Sequence, residues 1–219
     1  MADLIHGLTA ERVRVNLGQV RERIAAAGAD PDRIEVLAAV KYLPAEDLVA
    51  LAAGGITLVG ENRAQELARK VPAGPPGLTW DFIGHLQSRK VRDILPLVRY
   101  IHSVSSDSAL AQLGRHGDQS TRVLIEVNVA GEEGKSGIPS RELPGFLERC
   151  PVTVVGLMTM PPLADDPEAS RRHFATLRNL AEAHHLPELS MGTSQDYEVA
   201  VQEGATIIRL GTILYRKSP

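Results

Sequence analysis

The stretch RIEVLAAVKYLP, residues 33–44, decides how the rest of the chain is read. From Ile34 to Val40 it is apolar with one acid inside it, the pattern of a strand buried on both faces. It ends on a lysine, Lys41. Lysine is almost never fully buried without a partner, so either Lys41 emerges into water at the strand end or its amine is wanted in a pocket.

Upstream, Thr9 can cap a helix in which Val13, Leu17, Val20 and Ile24 form one apolar stripe, and Gly28 ends it. Downstream, short apolar runs alternate with polar helical stretches. The further strand candidates are 57–59, 79–83, 100–104, 122–129, 152–157, 189–191 and 206–210. Helical segments begin near Pro44, Asn62, His85, Ser106, Ser140, Asp166 and Ser194. In DDPEASRRHFATLRNLAEAH, Asp166 is the cap, Pro167 lies in the first turn, and Phe174, Leu177 and Leu180 recur at helical spacing. Strands that alternate with helices pair in parallel, because parallel neighbours need crossovers. Eight strands with seven intervening helices match one α/β domain spanning residues 1–219, a single (β/α)8 TIM barrel with an extra N-terminal helix. An open doubly wound sheet is the alternative, although no G-x-G-x-x-G fingerprint follows the first strand.

Composition narrows the partners. With 43% hydrophobic and 23% charged residues the chain can build a core. A formal net charge of −3, interspersed charges and only one Trp, four Tyr and three Phe argue against nucleic acid, which is bound through clustered Lys and Arg. The densest basic cluster, SRKVRD at 88–93, reads as a solvated helix face. One cysteine, Cys150, excludes an internal disulfide and suggests a reducing compartment. There is no 18-residue apolar run, and the first twenty residues lack the apolar core of a signal peptide, so no membrane partner and a cytoplasmic location are expected. No long apolar exposed segment demands a second copy, so the expected state is a monomer.

Barrel enzymes carry their sites at the C-terminal ends of the strands. There this chain would deliver Lys41, Glu61 with Asn62, Gly84 with His85, Ser103, Asn128, Met158, Gly192 with Ser194, and Arg209 with Gly211 and Thr212. Taken singly these have plain explanations: Asn62 and Ser194 as helix caps, His85 as a hydrogen-bonded first-turn histidine. The last two strand ends say more together. MGTSQDYEVAVQEG puts glycine and small hydroxyls before a helix that Ser194 would cap and Gly204 would stop, and IIRLGT puts Gly211 and Thr212 just past the final strand. Phosphate sites of this fold lie on those two loops. A lysine in a partly desolvated pocket can add its free amine to a carbonyl, so lysine plus phosphate suggests a phosphorylated aldehyde. Pyridoxal phosphate meets both requirements.

Other motifs carry less. GEEGKSG at 131–137 is a near miss for a nucleotide-binding loop, which needs a glycine where Val129 stands. It reads as a flexible loop at the barrel mouth whose Lys135 could touch cofactor or recipient transiently. His173, His184 and His185 read as surface helix residues, Cys150 as an inert buried thiol ahead of a strand, and nothing suggests a metal.

The segments VLAAVKYLP, VGENRAQE, WDFIGHLQSRK, IHSVSS, VLIEVNVAGEEGKSG, GLMTM and LSMGTSQDYEVAVQEGATIIRLGT occur in the order and spacing of the pyridoxal phosphate homeostasis proteins, and the chain resembles that family over nearly its whole length. The resemblance implies a barrel similar to the N-terminal domain of alanine racemase. It implies pyridoxal 5'-phosphate held as a Schiff base on Lys41, with the phosphate received by Ser194, Gly211 and Thr212 and with Arg209 against the pyridine nitrogen. Asn62 and His85 would line the ring and aldehyde side, with Met158 packed beside it. One departure is that the family often has serine or threonine before the lysine, where this chain has Val40; that side chain should face away from the lysine's. The implied role is intracellular homeostasis of the cofactor without turnover, with pyridoxal-phosphate-dependent apoenzymes as recipients.

An arginine at the ring nitrogen makes the ring a poorer electron sink than a carboxylate would. Alanine racemases share that arginine and still catalyse, so it does not decide alone. Only Leu214 to Pro219 follow the last strand and its loop, so the racemase's second domain, source of the opposing tyrosine base, is expected to be missing. A pyridoxal-phosphate enzyme of the alanine racemase type and a cofactor-free Schiff-base aldolase remain the alternatives to a non-catalytic binder.

Overall fold

Thr9 opens the first helix, its hydroxyl accepting from the Arg12 N–H at 3.2 Å, and α1 runs from Ala10 to Ala26. Its stripe is the expected one: Val13, Val20 and Ile24 are buried and Leu17 half-buried, each fully buried side chain worth about 1.5–3 kcal/mol. Gly28, at φ +91°, turns the chain out of the helix where a side chain would be strained. Asn16, buried on the same helix, donates from Nδ2 to the carbonyls of Leu214 and Arg216, both at 3.0 Å, tying α1 to the last segment of the chain. The computed structural model describes residues 5–216.

Eight strands follow: β1 (Glu35–Ala39), β2 (Leu58–Glu61), β3 (Thr79–Phe82), β4 (Tyr100–Val104), β5 (Arg122–Asn128), β6 (Thr153–Met158), β7 (Glu188–Ser190) and β8 (Ile207–Leu210). Each pairs in parallel with its neighbours in chain order, and β8 returns to β1, with Leu37 opposite Arg209 and Ala38 opposite Leu210. The ring is closed, which excludes the open doubly wound sheet. A two-residue strand, Ile138–Pro139, adds to the end of β5.

The crossovers are carried by α2 (Leu48–Ala53), α3 (Ala64–Ala73), α4 (Val91–Ile94), α5 (Asp107–His116), α6 (Leu143–Arg149), α7 (Arg171–Ala183) and α8 (Tyr197–Gln202), and α9 (Thr212–Tyr215) follows β8. The main core lies between the ring and these helices. β1 shows the division: Ala38 packs outward into that core, while Leu37 turns inward with Leu58 and Ile207 into a small cluster inside the ring.

Asp166 accepts from the Glu168 N–H at 3.0 Å and opens the segment that becomes α7, as expected. His173 is not a surface residue: with Phe174 and Leu177 it sits on the buried face of α7, and burial pushes its pKa down. His185 is exposed and His184 half-buried. Cys150 is half-buried rather than enclosed, and burial raises its thiol pKa, which keeps it unreactive.

Candidate functional site

The mouth is assembled by contacts between successive loops. After β1, Val40 is buried and Lys41 stands in the following turn, exposed, its Nζ 4.6 Å from the centre of the Tyr42 ring. The partly desolvated pocket expected for Lys41 is therefore not there. The buried lysine of this region is Lys70 on α3. Its Nζ lies 2.7 Å from Glu61 Oε2 and donates to the Val40 carbonyl at 2.7 Å, which pins the turn that displays Lys41.

Glu61 does a second job. Its Oε1 accepts from the N–H groups of Asn62 (2.6 Å) and Arg63 (3.2 Å), so this carboxylate rather than Asn62 satisfies the approach to α3, which starts two residues later than expected. Asn62 is left with a buried Oδ1 that has no partner among the described residues. Its carbonyl lies against Gly84, where an added Cβ would come within 1.9 Å of it; only glycine lets the loops after β2 and β3 approach this closely. Ser103, at the end of β4, donates to the Gly84 carbonyl and extends the tie. His85 is exposed in the loop and not in a first turn, since the helical segment begins at Ser88. Asn62 and His85 share a groove of about 290 Å³ with Arg63, Gln87, Arg89 and Lys90.

On the opposite side of the mouth, Ser194 does not cap α8. Asp196 shapes that loop, its Oδ1 accepting from the N–H (2.8 Å) and hydroxyl (3.0 Å) of Thr193, and α8 is only six residues long. Ser194 Oγ instead accepts from the Gly211 N–H at 3.3 Å, joining the loops after β7 and β8. Gly211 has nothing within 4 Å of where a Cβ would sit, and Thr212 beside it is exposed, so these loops leave open space between them and the mouth. Gly204, at φ +91°, follows α8 as expected. Met158 is buried at the end of β6.

Arg209 reaches across the inside of the ring. Nη1 donates to the Ser190 carbonyl (2.6 Å) and hydroxyl (2.7 Å), and Nη2 to the Thr159 carbonyl (2.9 Å). Burial pushes its pKa down to about 10, so the guanidinium keeps its charge at neutral pH. Behind it lies a polar layer the sequence reading missed: Ser190 Oγ is 2.8 Å from His102 Nδ1, and His102 Nε2 is 3.1 Å from Asp81 Oδ2. Asp81 also accepts from Arg99 at 2.7 and 3.1 Å. The only signal for these was a titratable residue inside two apolar strands, Asp81 in TWDF and His102 in YIHSV. Lys135 is exposed beside Glu132, at 3.6 Å, and shares a second groove with Met160, Leu163 and Thr193. No helix among the described residues is long and apolar enough to cross a membrane.

Fold and site together define a closed (β/α)8 barrel that presents a lysine after its first strand and an arginine within its last. The chain belongs to the alanine racemase N-terminal domain family, whose model matches residues 10–219. Among its relatives is the pyridoxal phosphate homeostasis protein of Aquifex aeolicus, 37% identical in an alignment that covers 94% of this chain and 96% of that one. PipY of Synechococcus elongatus, in a structure with pyridoxal phosphate bound, superposes with a TM-score of 0.76 at 32% identity, covering 90% of this chain and all of that one. Alanine racemase from Corynebacterium glutamicum shares the fold at a TM-score of 0.72 and 17% identity; the match covers 97% of this chain and 62% of the racemase.

Proposed function

We propose that this protein binds pyridoxal 5'-phosphate as a Schiff base on Lys41 and keeps it for pyridoxal-phosphate-dependent apoenzymes rather than using it to turn over a substrate. The observation that carries the reading is the register of β1 against β8. Leu37 opposite Arg209 and Ala38 opposite Leu210 set the Lys41 turn and the Ser194–Gly211 contact on neighbouring strand ends of one mouth. The polar groups fit the cofactor: an exposed primary amine, a hydroxyl and backbone N–H beside an open glycine, and, as an acceptor, a buried amide oxygen still lacking a partner among the described residues at Asn62.

In this reading Ser194, Gly211 and Thr212 hold the phosphate, Arg209 faces the ring nitrogen, Asn62 and His85 line the aldehyde side and Met158 packs beside the ring. Bound there, the cofactor supplies an aldehyde that can pass between amines. Lys41 is well suited to receive and release it, because an exposed amine needs no lid to open. Arg209 stays cationic and so disfavours a proton on a ring nitrogen in front of it, which weakens the ring as an electron sink and supports custody over catalysis.

Borohydride reduction of the protein loaded with pyridoxal phosphate, followed by peptide mass spectrometry, tests the reading. The label is expected on the Lys41 peptide and absent from Lys41→Ala. Racemisation or decarboxylation of amino acids that depends on Lys41 would replace custody with catalysis, and labelling confined to other lysines would remove Lys41 from the site.

A further inference from the structure

Inside the barrel, a run of hydrogen bonds links Arg209 to the side chains behind it, and every member of the run is buried: Arg209, Ser190, His102 and Asp81. Its direction can be assigned by counting donors. Arg209 has only donors, so Nη1 gives a proton to Ser190 Oγ. Asp81 already accepts two N–H groups from Arg99 and one from the Tyr100 backbone, and it carries a negative charge, so it can only accept from His102. His102 therefore bears its proton on Nε2, and Nδ1 is left as an acceptor. The Ser190 hydroxyl, which receives from Arg209, has one proton left and one neighbour that needs it: His102 Nδ1. Every hydrogen bond between the four groups is then accounted for with a neutral imidazole. Burial, together with the positive charges of Arg209 and Arg99, favours that neutral form.

The same count shows what the run leaves at the mouth. Both Nη1 protons go to Ser190 and one Nη2 proton goes to Thr159. The Nε–H and the second Nη2–H have no acceptor among the described residues, and Nε and Nη2 flank one edge of the guanidinium. We propose that Asp81, His102 and Ser190 are positioning residues that lock the Arg209 guanidinium by one fixed pattern of donors, so that this edge is the donor face offered to the bound ligand. That the ligand's ring nitrogen meets the edge rests on the function proposed above; the tautomer and the direction of the run do not. Asp81 and Ser190 thus act through His102 and Arg209, from inside the ring, on a group they do not touch.

Two measurements test this separately. Nitrogen-15 spectra of the cofactor-free protein should show His102 as the neutral Nε2–H tautomer near neutral pH, whether or not the protein ever binds pyridoxal phosphate; an Nδ1–H tautomer or an imidazolium would overturn the proposal. On protein loaded with pyridoxal phosphate, Ser190→Ala removes an Arg209 acceptor and the only donor to Nδ1. It should change the pH profile of the bound chromophore's absorbance and speed release by roughly tenfold or more, the scale of one hydrogen bond to a charged group. His102→Asn, whose amide oxygen can still accept from Ser190, should stay closer to the unaltered protein than His102→Leu when all are compared at matched thermal stability. Ser190→Ala and His102→Leu with unaltered spectra and release rates would reduce the run to a structural network. Failure of the unaltered protein to bind pyridoxal phosphate would instead sink the functional reading, leaving the tautomer measurement to judge the run.

Discussion

The Lys70 ammonium and the Glu61 carboxylate meet at 2.7 Å with side chains only 1% and 0% exposed, directly behind the turn that displays Lys41. A sealed ion pair is a weak source of net stability, but breaking it from one side is costly, because the remaining charge has neither water nor a counter-charge. Lys70→Met should therefore destabilise the fold by about 3–5 kcal/mol in urea unfolding. Adding Glu61→Gln should recover part of that loss, since the amide carries no charge and its oxygen can still accept from the Asn62 and Arg63 N–H groups. A double variant no more stable than Lys70→Met would show that the lost bond to the Val40 carbonyl, rather than the stranded carboxylate, sets the cost.

At Gly84 a Cβ would lie 1.9 Å from the Asn62 carbonyl oxygen and 2.6 Å from its Cα, all backbone atoms that cannot swing aside. Gly84→Ala must push the loops after β2 and β3 apart. Overpacking of this kind costs about 1–3 kcal/mol, and here it also moves Asn62, so weaker retention of pyridoxal phosphate should accompany the loss of stability. Denaturant midpoints and the fluorescence of bound cofactor check the two effects on one preparation. Stability lost without any change in retention would place Asn62 outside the site.

These two positions show what could be read from residue order. The strand within 33–44 and its alternation with helices are legible because a largely buried strand leaves an apolar run broken only by Glu35, and because Thr9 and Asp166 cap through local bonds. Asn62, His85 and Ser194 are not helix-start residues for one shared reason: the groups that tie those loops down are a strand-end carboxylate at Glu61, the Ser103 hydroxyl of the next strand donating to the Gly84 carbonyl, and a backbone N–H at Gly211. Such partners lie far away in sequence or outside any capping pattern. The Asp81–His102–Ser190–Arg209 run was invisible for the same reason, since its members sit on four strands and meet only inside the closed ring.

Lys41 separates binding from stability. Its side chain is exposed and its one contact noted above is the Tyr42 ring at 4.6 Å, worth about 0.5–1 kcal/mol at an exposed site. Lys41→Ala should shift the unfolding free energy by no more than about that amount while abolishing covalent retention of pyridoxal phosphate. Calorimetry and gel filtration of loaded protein read the two quantities independently. A large loss of stability in the cofactor-free variant would mean that the lysine is part of the fold after all.

His102 and Asp81 give stability a pH dependence of defined sign. The His102 pKa is lowered, first by burial and then by Arg209 and Arg99, against the opposing pull of Asp81. A proton then binds more readily to the unfolded chain, so the contribution of neutral His102 is complete above the unfolded value of about 6.5 and is lost as pH falls through that value toward the folded one. His173, lowered by burial and by Arg172, shares the window. Asp81 follows lower down: burial alone would raise its pKa, but hydrogen bonds from His102 and Arg99 outweigh it, so its contribution is intact above about 3.9 and drains away below. In His102→Asn the rise of unfolding free energy with pH just below about pH 6.5 should shrink by up to about 1.4 kcal/mol per pH unit, the effect of one proton, leaving the share of His173. Urea titrations from about pH 7.5 down to about pH 4.5 measure that slope. An unaltered slope would mean that His102 is already charged in the folded protein, which the donor count at Ser190 and Asp81 does not allow.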